Sequence, residues 1–340
     1  MKTIILCGGG TAGHIMPNIA LVPALSRFKV VYLGVKNSME EEICKQNNVE
    51  FVPIEAVKFS RTDLFKNLSI PFLLPKCINN CKNVLERLSP NVVFSKGGFA
   101  SLPVTLASKR LNIPYVIHES DYTMGLANKL VAKSAKVVMT NFKSAYNGKN
   151  AMQVGIPLRA TLFSPKTSSS ILESLSLPLR PTLLATGGSA GASKINDLIF
   201  QNLDKLTQKY NVIHLTGKGK GKDIKKHGYL SLEFAQNMGE LYKCSDVVVS
   251  RAGATAIAEI KALGKRAILI PLSKKASRGD QIKNAHAVKS DHIVVIEEEN
   301  LTNKLLLSTI DDLLKKDINT GEKSGLSVYE IADVLYKISL

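Results

Sequence analysis

The sequence predicts an α/β fold in two doubly wound halves, and three observations predict it. A glycine turn, Gly9-Gly10-Thr11-Ala12-Gly13, follows the apolar run 3–7, and a second, Gly187-Gly188-Ser189-Ala190-Gly191, follows residues 181–185, offset by 178 at each position. Val92-Val93-Phe94 leads into Ser95-Lys96-Gly97-Gly98-Phe99-Ala100-Ser101, and Val247-Val248-Val249 leads into Ser250-Arg251-Ala252-Gly253-Ala254-Thr255-Ala256. The chain has 340 residues, more than one hydrophobic core usually supports. A short apolar strand feeding a glycine turn and a helix is one unit of a parallel sheet, and each half carries that unit twice.

Taken in order, apolar runs bounded by turn residues place strands at 3–7, 30–33, 51–54, 91–94, 115–119 and 136–140, with helical patterns between most of them. This alternation is that of a doubly wound sheet. The segment 164–180 interrupts it with Pro165, Ser168-Ser169-Ser170 and Pro178, so the domain boundary is expected near 158–165. The second half repeats the pattern at 182–185, 211–215, 229–234, 246–250, 266–270 and 293–297, then closes with helices at 301–314 and 326–338. Two Rossmann-like domains facing a cleft are the expected architecture, divided 1–160 and 161–340, with the last helix a candidate to pack back on the first domain.

Composition narrows the function. An apolar content of 45% with mean hydropathy near zero (+0.05) is that of a soluble globular chain. Met1-Lys2 precedes too few apolar residues for a secretory signal, so translocation is not expected. The five cysteines are scattered without a CxxC pair, which fits a reducing cytoplasm. The net charge of +17 is uneven: residues 1–160 hold 20 Lys and Arg against 9 Asp and Glu. A basic half attracts nucleic acid, an anionic membrane or a phosphorylated substrate alike. Aromatics at 6%, the absence of Trp and the lack of a stacking motif argue against nucleic acid.

Glycines between strand and helix let the backbone approach a phosphate, whose charge is met by N–H groups at the helix start. Gly8-Gly9-Gly10-Thr11-Ala12-Gly13 satisfies the G-x-G-x-x-G fingerprint, but the run 30–33 ends in Gly34-Val35-Lys36 rather than the acid that holds a ribose of NAD. A nicotinamide oxidoreductase is therefore disfavoured. His14 stands at the start of the helix after the first loop, where the positive end of the dipole keeps an imidazole neutral and able to accept a proton. Glu259 lies about one and a half turns into the helix that follows Arg251-Ala252-Gly253, where it can either bind the hydroxyls of a ribose or pair with a nearby Lys on the helix surface. The polar stretch 277–285 opens a helix from which Asp280, Gln281 and Asn284 can reach the same region.

Taken together, GGGTAGHIMP (8–17), SKGGFAS (95–101), His118-Glu119 with GLANK (125–129), VGIPLR (154–159), TGGSAG (186–191), RAGATAIAE (251–259) and DQIKNA (280–285) resemble the MurG-type N-acetylglucosaminyltransferases of bacterial peptidoglycan synthesis. The resemblance runs from residue 3 to about 290. It implies a GT-B fold, with the acceptor site and membrane contact in domain 1–160 and the nucleotide-sugar site in domain 161–340. The implied reaction moves N-acetylglucosamine from UDP-N-acetylglucosamine to the 4-hydroxyl of the muramoyl sugar of lipid I, with inversion, giving lipid II and UDP.

By the same resemblance, Thr11, Ala12 and Gly13 match first-loop donor contacts, and His14 matches a residue that assists deprotonation of the acceptor. Arg159, Ser189 and Gln281 match donor-binding positions, Ala254, Thr255 and Ala256 the helix start facing the diphosphate and sugar, and Glu259 the ribose acid. Asn284 lies beside them, and Glu119 is the second candidate base. Helix-start N–H groups with Ser189 can absorb the leaving group's charge, so no metal and no cofactor are expected. Some positions depart from the family: Ala12 stands where a glycine is common, and Ser120-Asp121 stands where Gln-Asn is usual, so Asp121 can accept but not donate toward the donor sugar. Ala235 and Ala256 replace a bulkier and a hydroxylated residue.

Between Lys58 and Lys82, Phe59, Leu64, Phe65, Leu68, Ile70, Phe72, Leu73 and Leu74 interleave with Arg61, Lys66 and Lys76. Pro71 and Pro75 and the short length exclude a membrane span, and the pattern suits a surface resting on anionic lipid at the cytoplasmic face of the membrane. The alternative is another GT-B glycosyltransferase that uses a UDP-sugar with a different lipid or small-molecule acceptor.

Overall fold

In a computed structural model, residues 1–58, 68–163, 165–188, 191–235, 237–274, 277–317 and 328–340 are described. The chain forms two compact units, Met1–Arg159 with Gly325–Leu340, and Ala160–Ser324. The first unit runs β1 (Lys2–Cys7), α1 (Ala12–Leu21), β2 (Phe28–Val35), α2 (Met39–Gln46), β3 (Glu50–Ile54), α3 (Ile70–Leu88), β4 (Val92–Ser95), α4 (Ser101–Arg110), β5 (Tyr115–Glu119), α5 (Leu126–Val131), β6 (Val137–Thr140) and β7 (Ala151–Gln153). Its seven strands lie in the order β3-β2-β1-β4-β5-β6-β7, all parallel.

The second unit runs α6 (Ser168–Ser174), β8 (Thr182–Thr186), α7 (Ser193–Lys209), β9 (Asn211–Leu215), β10 (Tyr229–Leu232), α8 (Met238–Lys243), β11 (Val247–Ser250), α9 (Ala254–Ala262), β12 (Arg266–Leu269), α10 (Asp280–Ala287), β13 (Ile293–Val295) and α11 (Asn303–Leu314). Its order is β10-β9-β8-β11-β12-β13, again all parallel. The two sheets therefore repeat one topology, and the first carries β7 as an added edge. β7 is absent from the sequence expectation because Ala151-Met152-Gln153 is too short to show a period.

Burial explains why the strands read as unbroken apolar runs. Ile4, Ile5, Leu6 and Cys7 of β1 are all sealed from solvent, and side chains alternate between the sheet's two faces. Ile4 and Leu6 join the core under α1 with Ile15 and Ile19. Ile5 and Cys7 join the opposite core with Cys81, Leu85 and Val104 from α3 and α4. In the second unit, Leu183 and Ala185 pack with Ile195, Ile199, Leu306 and Ile310.

The chain ends in α12 (Val328–Ile338), whose Ile331, Ala332 and Leu335 lie in the first unit's core beside Leu25 and Phe28. Tyr336 meets the Phe28 ring edge-on at 5.9 Å, and Lys2 Nζ donates to the Ser339 carbonyl at 2.6 Å.

Candidate active site

Strand order reverses direction beside β1 and β8, between β1 and β4 in one sheet and between β8 and β11 in the other. Ligands of open α/β sheets bind outside the carboxyl ends of strands at such switch points. The four glycine turns of the sequence are the loops that leave these four strands. Each unit thus has one crevice, and each crevice holds one pair of the repeated motifs.

In the first unit the two loops touch directly. Gly9 N–H donates to the Gly97 carbonyl at 3.4 Å, and Gly98 sits at φ +84° where a Cβ would lie 2.3 Å from the Gly9 carbonyl oxygen. Only glycine allows that approach. Gly10 N–H donates at 2.9 Å to Glu40 Oε1, a buried carboxylate from α2. That amide is satisfied from within, so the first loop offers fewer donors to a phosphate than its glycines suggest. Thr11 caps α1 in an extended conformation without a side-chain bond, and Thr11, Ala12 and Gly13 line the start of the helix.

His14 is half-buried, and its Nδ1 lies 2.9 Å from the Lys96 carbonyl. A carbonyl only accepts, so Nδ1 carries the proton and Nε2 is the basic nitrogen. Burial holds the His14 pKa below its ordinary value; the bond to the Lys96 carbonyl opposes this, the Lys96 charge adds to it, and Asp121 and Glu119 oppose it. Glu119, at the end of β5, is 4% exposed. Its Oε1 accepts from Asp121 N–H at 3.0 Å, and its Oε2 accepts from Gly125 N–H at 2.9 Å and Asn128 Nδ2 at 3.0 Å. Of the two candidate bases, one presents a ring nitrogen and the other is bound into the loop it organises. Asp121 is half-buried on that loop.

In the second unit, α9 begins at Gly253 with no side-chain cap and no acid in its first turn. A Cβ built on Gly253 meets nothing within 4 Å, so the approach to the first-turn N–H groups of Ala254, Thr255 and Ala256 is open. Unfilled N–H groups at a helix start form an anion site. Glu259 is on the same helix, and Tyr242 of α8 donates to its Oε2 at 3.1 Å. Gln281 Oε1 accepts from Leu272 N–H at 3.0 Å, which turns its amide NH₂ away from that loop. Arg251 is not a ligand-facing cation: it donates to the Ile270 and Pro271 carbonyls and pairs with Glu298 at 2.9 Å.

Asn284 is fully buried and its amide donates to the Ala252 carbonyl at 3.4 Å, so it holds the turn before α9 rather than facing solvent. Ser189 lies outside the described residues. Gly188, beside it, has φ +77° and open space at its Cβ position. Ala235 is half-buried, and Arg159 is half-buried at the end of the first unit.

Three supporting residues escaped the sequence reading. Glu40 and Tyr242 look like ordinary helix residues in sequence. Lys96 stood in a motif, yet its side chain is 1% exposed. Of the expected membrane segment, Phe59, Arg61, Leu64, Phe65 and Lys66 lie outside the described residues. Leu68, Phe72 and Leu73, at 69%, 81% and 44% exposure, project at the start of α3, while Ile78, Cys81 and Leu85 face the core. Among the described residues no helix is long and apolar enough to cross a membrane, and no group of three or more His, Cys, Asp or Glu side chains is placed to hold a metal ion.

Two family models match this chain. The glycosyltransferase family 28 N-terminal domain covers residues 4–140, and the family 28 C-terminal domain covers residues 182–334. The UDP-N-acetylglucosamine–N-acetylmuramyl-(pentapeptide) pyrophosphoryl-undecaprenol N-acetylglucosamine transferase of Clostridium botulinum (strain Loch Maree / Type A3) is 38% identical over 99% of both chains. The protein of that name from Lachnoclostridium phytofermentans is 42% identical over 92% of this chain and 90% of its own. Among solved structures, that of Acinetobacter baumannii MurG superposes with a TM-score of 0.75 at 22% identity, covering 99% of this chain and all of the other. A glycosyltransferase of kitacinnamycin superposes equally well at 13% identity, covering 100% of this chain and 99% of the other, which speaks to the fold alone.

Proposed function

The chain belongs to glycosyltransferase family 28, and from that premise we propose how its two crevices divide the work of sugar transfer. It is a GT-B hexosyltransferase that moves N-acetylglucosamine from UDP-N-acetylglucosamine to lipid I, forming lipid II in peptidoglycan synthesis. The second unit takes the donor and the first takes the acceptor.

The observation behind the donor assignment is α9. Its open, acid-free N-terminus suits a diphosphate, and Glu259 stands about 7.5 Å further along the same helix, five residues at 1.5 Å each, to meet the ribose hydroxyls. Thr255 and Ala256 line the approach, Gln281 offers its amide donors, and Ser189 is a further donor contact of the same unit. As the glycosidic bond to UDP breaks, negative charge grows on the departing phosphate, and N–H groups already aimed at it need no reorganisation. His14 Nε2 removes the proton of the muramoyl 4-hydroxyl, which attacks the anomeric carbon from the opposite side and inverts it. Glu119 shapes the 121–125 loop and balances the Lys96 charge. Asp121 accepts a hydrogen bond from the donor sugar.

Lipid I is anchored by its tail, so the enzyme must reach a membrane. We assign that contact to the start of α3, where Leu68, Phe72 and Leu73 are exposed beside Lys76, with the basic surplus of residues 1–160 attracting anionic lipid on the cytoplasmic face. Lipid and diphosphates then account for the net charge without a nucleic-acid partner.

The test is UDP release and disaccharide formation from UDP-N-acetylglucosamine and a short-tailed lipid I analogue, with Glu259→Ala alongside. Product from the wild type, with donor KM raised at least ~10-fold in the variant, is expected. An unchanged donor KM in the variant removes Glu259 from the donor site.

A further inference from the structure

Lys96 is the one lysine among the described residues that is buried in a polar network, and the mechanism above gives it no task. It follows β4 directly, in a loop that borders the first crevice. Its Nζ lies 2.5 Å from His118 Nδ1 and donates to Ser120 Oγ at 2.7 Å. On the far side of the ring, His118 Nε2 is 2.6 Å from the Gly155 carbonyl, which can only accept. The proton is therefore on Nε2, Nδ1 is an acceptor, and the Lys96 ammonium donates to it. The backbone of the same residue is committed at both ends: its N–H donates to the Cys7 carbonyl at 2.8 Å, and its carbonyl receives His14 Nδ1–H.

We propose that Lys96 is a positioning residue for the transfer, its clamped side chain fixing the carbonyl that orients the His14 ring and setting its charge beside that ring. This rests on His14 being the base. The charges acting on the His14 ring are Lys96 from the loop after β4 and Asp121 and Glu119 from β5 and the loop after it. The lysine disfavours an imidazolium, and the carboxylates favour one. Burial brings the Lys96 pKa down to about 7, and Glu119 and Asp121 oppose that fall. Two residues after β5 border this cluster: Ser120 supplies one of the ammonium's acceptors, and Asp121 supplies a carboxylate.

The experiment measures kcat/KM against pH, which reports the ionisation of the free enzyme's base, together with the melting temperature. The full-length wild type is compared with Lys96→Met, Ser120→Ala and His14→Ala. Lys96→Met keeps the volume and removes the charge. Its acidic limb is expected to move up by about half a unit or more, with kcat ~10-fold lower and donor KM within ~2-fold of the wild type. Ser120→Ala takes one acceptor from the ammonium and moves the limb the same way by less, which decides the matter if Lys96→Met does not fold. An acidic limb unmoved in folded Lys96→Met, or in Ser120→Ala where the Met variant fails, overturns the proposal. A limb retained in His14→Ala instead overturns the assignment of the base.

Discussion

His14 and Glu119 border one crevice, and what their polar atoms already touch separates them. His14 donates its Nδ1–H to a carbonyl and presents Nε2, whereas Glu119 accepts from two N–H groups of the loop after β5 and from Asn128 of α5. His14→Ala should therefore lower kcat by 10²-fold or more and move the melting temperature little, since it deletes one net hydrogen bond. Glu119→Gln puts an NH₂ against N–H donors and strips a buried lysine of its counter-charge, at a cost of about 2–4 kcal/mol. Its melting temperature should fall with its activity. Full stability with lost activity in Glu119→Gln would return it to the role of base. Sequence placed both residues at the crevice but could not rank them, because the donors that occupy Glu119 come from positions 121, 125 and 128. Lys96 was illegible for the same reason: a lysine beside two glycines reads as solvated, and the partners that bury it lie 22 and 24 residues away.

At the level of elements, α9 gives the sharpest test because stability and binding should move in opposite directions. A carboxylate in its first turn, as in Ala256→Asp, complements the helix dipole by about 0.3–1 kcal/mol and repels a diphosphate. The variant should melt no lower than the wild type while the UDP-N-acetylglucosamine KM rises at least ~10-fold. Equal donor affinity would mean that the diphosphate binds elsewhere. At the start of α3, Phe72→Glu should abolish sedimentation with anionic vesicles and leave the fold intact, since Phe72 is 81% exposed. Vesicle binding equal to the wild type would move the lipid contact to another surface. The central strands were readable because β4, β5, β8, β9 and β11 are short, largely apolar runs buried throughout. The burial of Asn284 was not legible, because a polar residue on a polar stretch gives no sign that it faces inward. Its amide donates to the Ala252 carbonyl.

Across the whole molecule, the repeated turns proved to be the two arms of each switch point, which is why duplication alone disclosed the architecture. Both units also bury neutral histidines. Burial holds His118 well below its ordinary value of 6.5 and brings His214 down to about 4. Below pH 6.5 the unfolded chain binds protons that the native histidines refuse, so stability is full above 6.5 and falls with decreasing pH, for His214 down to about 4. Each histidine contributes at most about 1.4 kcal/mol per pH unit. Melting temperature should drop between pH 7 and 5, and His214→Gln should shallow the drop; an identical slope in the variant would exclude His214 as a source. The helix α12 has a different consequence, one for biosynthesis. It is translated after the entire second unit, yet Ile331, Ala332 and Leu335 belong to the first unit's core. A ribosome thus finishes the second unit while the first still has an open apolar groove, so the half begun first is sealed last. During that interval, the groove on the nascent chain is the surface for a chaperone to shield.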